Sequence, residues 1–123
     1  MASYLEHMAL KVKDLDWHVN FFSTYFDMPI IDEMGEAPER KVWLRGGIQM
    51  NEDVSFKGPE GRADHLGLVV ENLDETLDAI YGIEGVVQLP QGRNWVQIPS
   101  GIHLEIIQGI PEGINQAVNL TVK

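Results

Sequence analysis

Apolar and polar residues alternate near the start of the chain and then take up a helical spacing. Residues 5–13 are rich in apolar side chains, which predicts a β-strand. Asp14 or Asp16 can cap a following helix. Apolar residues then recur at intervals of four, three and four, at Leu15, Val19, Phe22 and Phe26. This spacing predicts an amphipathic helix over residues 16–26, which Pro29 ends.

Turn-forming residues divide the rest of the first half into three short apolar runs. The runs predict strands at residues 29–34, 40–44 and 47–51. The first half is therefore predicted to have the order βαβββ.

The second half repeats this order. Its predicted elements are a strand at 63–70, a helix at 74–81 that stops at Gly82, and strands at 86–89, 94–98 and 102–108. Residues 56–61 have the composition of a linker and mark the boundary between the halves. Residues 117–122 fit either an edge strand or a segment that packs on a partner chain.

The two halves also match residue by residue at a fixed offset of 58 positions. The matching pairs are His7 and His65, Leu10 and Leu68, Val12 and Val70, Leu15 and Leu73, and Asp16 and Asp74. A repeat of this size indicates two similar supersecondary modules. A histidine at the same place in each module suggests a site that both modules build.

The length of 123 residues suits one domain and is too short for two independent ones. We expect a single domain over residues 1–123, with module 1 at 4–55, the linker at 56–61, module 2 at 62–108 and a C-terminal tail at 109–123. The expected fold class is α+β. The linker permits the modules to pair within one chain or by exchange across a dimer.

The composition argues against several classes of function and partner. No apolar run approaches the roughly 20 residues that cross a bilayer, and no secretory signal is visible, so the expected location is the cytoplasm. Cysteine is absent, which excludes thiolate ligands and nucleophiles. The net charge of −10 argues against nucleic acid and anionic membranes as partners. A small-molecule substrate is the better expectation.

Each module opens with a histidine-bearing strand and closes with a strand that carries an oxygen ligand. His7 lies on the strand face opposite the apolar residues that a helix must cover. If the first and last strands of each module lie side by side, His7 meets Gln49 and His65 meets Glu105. The position of Gln49 depends on the strand register, which Gly46 and Gly47 leave open.

These four side chains are suited to one divalent metal ion. Two imidazoles, a carboxylate and an amide oxygen suit Zn²⁺, Ni²⁺, Co²⁺, Mn²⁺ or Fe²⁺, and their chemistry does not choose among these ions. Glu105 stands in an otherwise apolar strand, where an uncompensated carboxylate is costly. Either histidine alone fits a core residue bonded to the backbone, but their shared repeat position favours ligands.

The strings at residues 7–16, 65–74 and 99–106 resemble the vicinal oxygen chelate superfamily, which includes glyoxalase I, methylmalonyl-CoA epimerase, extradiol dioxygenases and bleomycin resistance proteins. The resemblance covers roughly residues 5–108. It implies a cup-shaped mixed sheet of two paired βαβββ modules, a homodimer and a bound divalent metal. By position, the family's four ligands match His7, Gln49, His65 and Glu105. This order is similar to that of the epimerase, whereas bacterial glyoxalase I has Glu at the place of Gln49.

The resemblance also implies a class of chemistry. Isomerases of this superfamily abstract a proton next to a carbonyl group and stabilise an enediolate on the metal. Glu105, or an acid that the sequence does not identify, would be the base. His103 shares a strand face with Glu105 and is a second catalytic candidate, although a partly exposed polar residue fits there equally well. Lys11 matches a basic residue that meets the glutathione carboxylate in glyoxalase I, but such chains usually reach solvent.

The short turns and the acidic charge suit neither glutathione nor coenzyme A thioesters. We therefore expect an isomerase or lyase that acts on a small carbonyl compound. Two alternatives stay open. One is an Fe(II) extradiol dioxygenase with His7, His65 and Glu105 as its facial triad and Gln49 uncoordinated. The other is a metal-free small-molecule binding or resistance protein.

Overall fold

The computed structural model describes residues 2–118, which form eight strands and three helices. The first βαβββ series consists of β1 (Ser3–Val12), α1 (Leu15–Phe26), β2 (Ile30–Met34), β3 (Lys41–Leu44) and β4 (Ile48–Glu52). The second consists of β5 (Arg62–Val70), α2 (Leu73–Tyr81), β6 (Val87–Leu89), β7 (Gly92–Gln97) and β8 (His103–Gln108), after which comes α3 (Pro111–Val118). The helices of residues 2–118 are too short or too polar to span a membrane.

The chain divides into two compact units, which correspond to the two βαβββ modules except at β1 and β5. One unit is His7–Asp64, and the other combines residues from His65 onward with residues 2–6. Strand order is β2-β3-β4-β1 in the first module and β5-β8-β7-β6 in the second. In both, the opening strand runs parallel to the closing strand, as the candidate site requires.

Each module buries apolar side chains between its strands and its helix. The first core contains Val12, Leu15, Val42, Leu44 and Met50, and the second contains Val70, Leu77, Val96 and Ile106. Val12 and Val70 are partners in the 58-residue repeat, and each takes part in the core of its own module. The strand face that the sequence assigned to the helix is therefore the one that packs in the core.

The helices begin at caps that also follow the repeat. Asp14 Oδ1 accepts a hydrogen bond from the backbone N–H of Trp17 at 3.1 Å, and Asn72 Oδ1 accepts one from Glu75 at 3.0 Å. Of the two predicted caps, Asp14 is therefore the one used. Helix α1 ends before it reaches Pro29, because Asp27 adopts a left-handed conformation with φ of 53°.

Helix α3 is absent from the sequence prediction. It begins with Pro111, a residue type favoured at the first helical position, and buries Ile114, which is 1% exposed. Only Ile114 is fully buried among the α3 side chains whose exposure is described, so the periodic apolar signal is weak. Residues 117 and 118 close this helix, and the rest of the 117–122 segment lies outside the described residues.

A network centred on Arg40 ties the end of β4 to the start of α1. Its guanidinium donates to both carboxylate oxygens of Glu52, at 2.9 and 2.7 Å, and to Asp16 at 3.0 Å. The Glu52 side chain is only 6% exposed. Hydrogen bonds from Arg40 hold the pKa of Glu52 below its ordinary value, and those to Glu52 and Asp16 raise the pKa of Arg40.

We expect Glu52→Gln to lower the free energy of unfolding at pH 7 by about 1–3 kcal/mol, because a charge-assisted pair is lost at a poorly hydrated position. The native pKa of Glu52 is depressed, so its contribution is complete above the unfolded carboxyl pKa of about 4.3 and is lost as the pH falls through the native pKa. Urea unfolding from pH 7 to pH 3 should show the two proteins converge at low pH. Glu39→Gln, at an exposed position, is the control. Equal stability of Glu52→Gln and wild type at pH 7 would contradict the prediction.

Candidate metal centre

In the second module, strand pairing brings a histidine and a carboxylate together. Residue Gly67 of β5 lies opposite Glu105 of β8, and His65 stands two residues before Gly67 on the same face. His65 is buried and Glu105 is half-buried. The His65 Nε2 and Glu105 Oε1 atoms lie 3.5 Å apart. The two residues are far apart in the sequence, and the parallel register of β5 and β8 brings them together.

The 3.5 Å separation between these two atoms fits ligands of a common metal ion. Two atoms that each lie about 2.1 Å from one ion are about 3.0–3.4 Å apart in octahedral or tetrahedral geometry. An imidazole nitrogen and a carboxylate oxygen are also the donors that first-row divalent ions prefer when thiolates are absent. The geometry and the donor chemistry of this pair therefore both suit a divalent ion.

Trp95 of β7 completes this face of the second module. It lies opposite Glu105 in the antiparallel register of β7 and β8, and its ring meets the His65 ring edge to face at 4.7 Å between centroids. Such an arrangement is favourable between aromatic rings and restricts the rotation of the imidazole. Sequence reasoning did not link Trp95 to the site, since only the cross-strand register places it beside the two polar residues.

The first module repeats this register. Ala9 of β1 lies opposite Gln49 of β4, and Gln49 lies opposite Trp43 of β3. His7 stands two residues before Ala9, so His7 and Gln49 share a face, and each is only 5% exposed. The register after Gly46 and Gly47 therefore places Gln49 at the position in its module that Glu105 has in the other.

His103 lies on β8 two residues before Glu105 and therefore on the same face. It is half-buried, and its Nε2 atom is 3.0 Å from the side-chain oxygen of Gln97 on β7. The strand-start position that the sequence indicated is correct.

Lys11 extends toward solvent, as expected for a long basic side chain. Its side chain is 42% exposed, and its Nζ atom lies 3.7 Å from the Asp64 carboxylate. A long ion pair of this kind at the surface contributes little to stability.

No protein-family model and no curated protein matches the sequence. Solved structures do match. A hypothetical protein from Bacillus halodurans C-125 has a TM-score of 0.66 at 15% identity, covering 89% of this chain and 96% of that one. Methylmalonyl-CoA epimerase in complex with methylmalonyl-CoA has a TM-score of 0.66 at 17% identity, covering 90% and 97%.

A variant of 4-hydroxymandelate synthase from Streptomyces coelicolor is also similar, with a TM-score of 0.62 at 18% identity. The likeness covers 87% of this chain but only 49% of the synthase. At such identities a structural likeness establishes the fold and leaves the reaction open. The chain thus has an α+β fold with two βαβββ modules, as its resemblance to the vicinal oxygen chelate superfamily predicted.

Proposed function

We propose that the protein is a divalent-metal enzyme, an isomerase or lyase that acts on a small carbonyl compound. His7, Gln49, His65 and Glu105 are its proposed metal ligands. The observation that carries the proposal is the 3.5 Å separation of His65 Nε2 and Glu105 Oε1, which is close to the spacing of two ligands on one ion.

The internal repeat supports the inclusion of His7 and Gln49, from the first module, among the metal ligands. His7, His65 and Glu105 offer two imidazole nitrogens and one carboxylate oxygen. His7 and Gln49 hold the same register positions in their module as His65 and Glu105 hold in theirs. A shared ion would give the same chemical role to both pairs.

A bound divalent ion would stabilise negative charge as it develops on a carbonyl oxygen. The protein's own part is proton transfer. A Glu105 carboxylate oxygen takes a proton from the carbon next to the carbonyl, and the electron pair of the broken C–H bond moves toward the carbonyl oxygen. Return of the proton to the opposite face of the same carbon completes an epimerisation. Where that carbon carries a hydroxyl group, return of the proton to the former carbonyl carbon, with transfer of the hydroxyl proton to the other oxygen, exchanges the carbonyl and hydroxyl groups. His103, on the same face, can exchange a proton with a substrate oxygen.

Charge favours a small substrate. The epimerase that shares the fold was solved with methylmalonyl-CoA, a polyanion. This chain carries 19 acidic and 9 basic residues, a net charge of −10, and so repels highly charged anions at long range. A small, uncharged carbonyl compound is therefore the proposed substrate class.

A second candidate function uses the same residues. Two histidines and one carboxylate are the donor set of the facial triad that binds Fe(II) in oxygenases. In that case Gln49 would stay uncoordinated and the substrate would be a catechol. Iron content and catechol-dependent oxygen uptake distinguish this candidate from an isomerase. A protein that binds small molecules without metal would show neither.

The metal centre predicts that protein purified without a metal-affinity step, stripped of metal and then titrated binds one equivalent of Ni²⁺ or Co²⁺. His65→Ala, Glu105→Gln and His7→Ala should each weaken binding at least 100-fold in calorimetry, because each removes a direct ligand. His18→Ala is the matched control, since His18 lies on α1 with its Nδ1 bonded to the Asp14 carbonyl. No stoichiometric binding by the wild type, or unchanged binding by the ligand variants, would sink the proposal.

The proposed chemistry predicts exchange of C–H protons for deuterium when metal-loaded protein is incubated in D₂O with a small hydroxyketone such as dihydroxyacetone. His103→Asn should slow this exchange about 100-fold, as expected for loss of a general acid or base, and should leave metal affinity unchanged. His18→Asn serves as the control, and proton NMR measures the rate. Absence of exchange, together with oxygen uptake by the iron-loaded protein in the presence of catechol, would favour the dioxygenase instead.

A further inference from the structure

The buried amide of Gln49 has a specific neighbour on its own strand. Gln49 Nε2 donates a hydrogen bond of 2.8 Å to Asn51 Oδ1. Asn51 is two residues further along β4, so both side chains lie on the same face of the strand. The bond engages the NH₂ end of the Gln49 amide, so that this end faces Asn51.

We propose that Asn51 is a positioning residue that presents Gln49 Oε1 as a metal ligand. This inference rests on the metal centre proposed above. An amide can ligate a divalent ion through its oxygen but not through its protonated nitrogen. If the Gln49 amide alone were rotated by half a turn while Asn51 kept its orientation, its oxygen would face Asn51 Oδ1, and two acceptors would oppose each other. The hydrogen bond disfavours that orientation.

The second module shows why only one module needs such a partner. Asn51 lies opposite Lys11, and the equivalent pair in the second module is Ile107 opposite Val69. An apolar residue thus stands where the first module has Asn51. Glu105 requires no orienting partner, because its two carboxylate oxygens are chemically equal and either can ligate. At the position two residues after the ligand, the first module has a polar residue and the second has an apolar one.

The surroundings of Asn51 make it a practical target for substitution. It is half-buried and lines a cavity of about 510 Å³ together with Lys11, Arg40 and Ser55. It does not belong to the apolar core of its module, which contains Val42 and Met50. A change of side chain at residue 51 therefore leaves the packing of α1 on the sheet in place.

The test compares Asn51→Leu and Asn51→Asp. Leucine cannot accept a hydrogen bond, so N51L should weaken Co²⁺ binding by roughly 10-fold, the lower end of the range for partners that orient metal ligands. Aspartate keeps an acceptor at this position, so N51D should bind Co²⁺ within about 3-fold of wild type. The visible absorption spectrum of bound Co²⁺ should change in N51L and be restored in N51D. Asn51→Ala repeats the experiment with a smaller side chain. Urea unfolding checks that each variant is folded.

A second experiment, in which Gln49 is also substituted, isolates the positioning role of Asn51. In Gln49→Glu the ligand is a carboxylate, whose two oxygens make orientation unimportant, so adding N51L should change Co²⁺ affinity by less than about 3-fold. The inference is overturned if N51L and N51A bind Co²⁺ as tightly as wild type, or if Gln49→Ala does. In those cases wild type still binds one ion, and the centre of His7, His65 and Glu105 stands. If wild type binds no ion, both proposals fail together.

Discussion

The parallel register between the first and last strands of each module is the constraint on which the rest of the site depends. It places Ala9 beside Gln49 and Gly67 beside Glu105, and so sets each histidine on the same face as an oxygen-bearing side chain. Because strand side chains alternate between faces, a slip of one residue would move the polar side chain to the helix side of the sheet. The register is held by the opposite face, where Val12 and Val70 must reach the apolar core.

Packing and chemistry therefore use alternate residues of the same strands. In β5, Val70 packs toward α2, and His65, an odd number of residues away, projects from the other face. The small residues Ala9 and Gly67 lie between the ligand-bearing positions and are buried themselves. The repeat thus preserves a pattern of large, small and polar residues as well as an order of elements.

Much of this could be predicted from sequence, because the signals are local. Strand alternation, helical spacing and the repeat predicted both βαβββ series and singled out the four polar residues, and a cap residue, Asp14, predicted the start of α1. Trp95 and Asn51 could not be found in this way, since their roles depend on which residue lies opposite or two places along a neighbouring ligand. Helix α3 was not predicted, because a single fully buried residue, Ile114, does not produce a periodic apolar pattern. The homodimer and the cytoplasmic location stay predictions.

The difference between Gln49 and Glu105 also bears on the charge of the proposed centre. With two neutral imidazoles, one amide and one carboxylate, the ligands would carry one negative charge, and a divalent ion would retain one positive charge. A second carboxylate at residue 49 would neutralise it. A centre that keeps positive charge stabilises an oxygen that becomes negative during proton abstraction more strongly than a neutral one does. In a chain of net charge −10, a neutral amide at Gln49 preserves that local positive charge where the proposed reaction needs it.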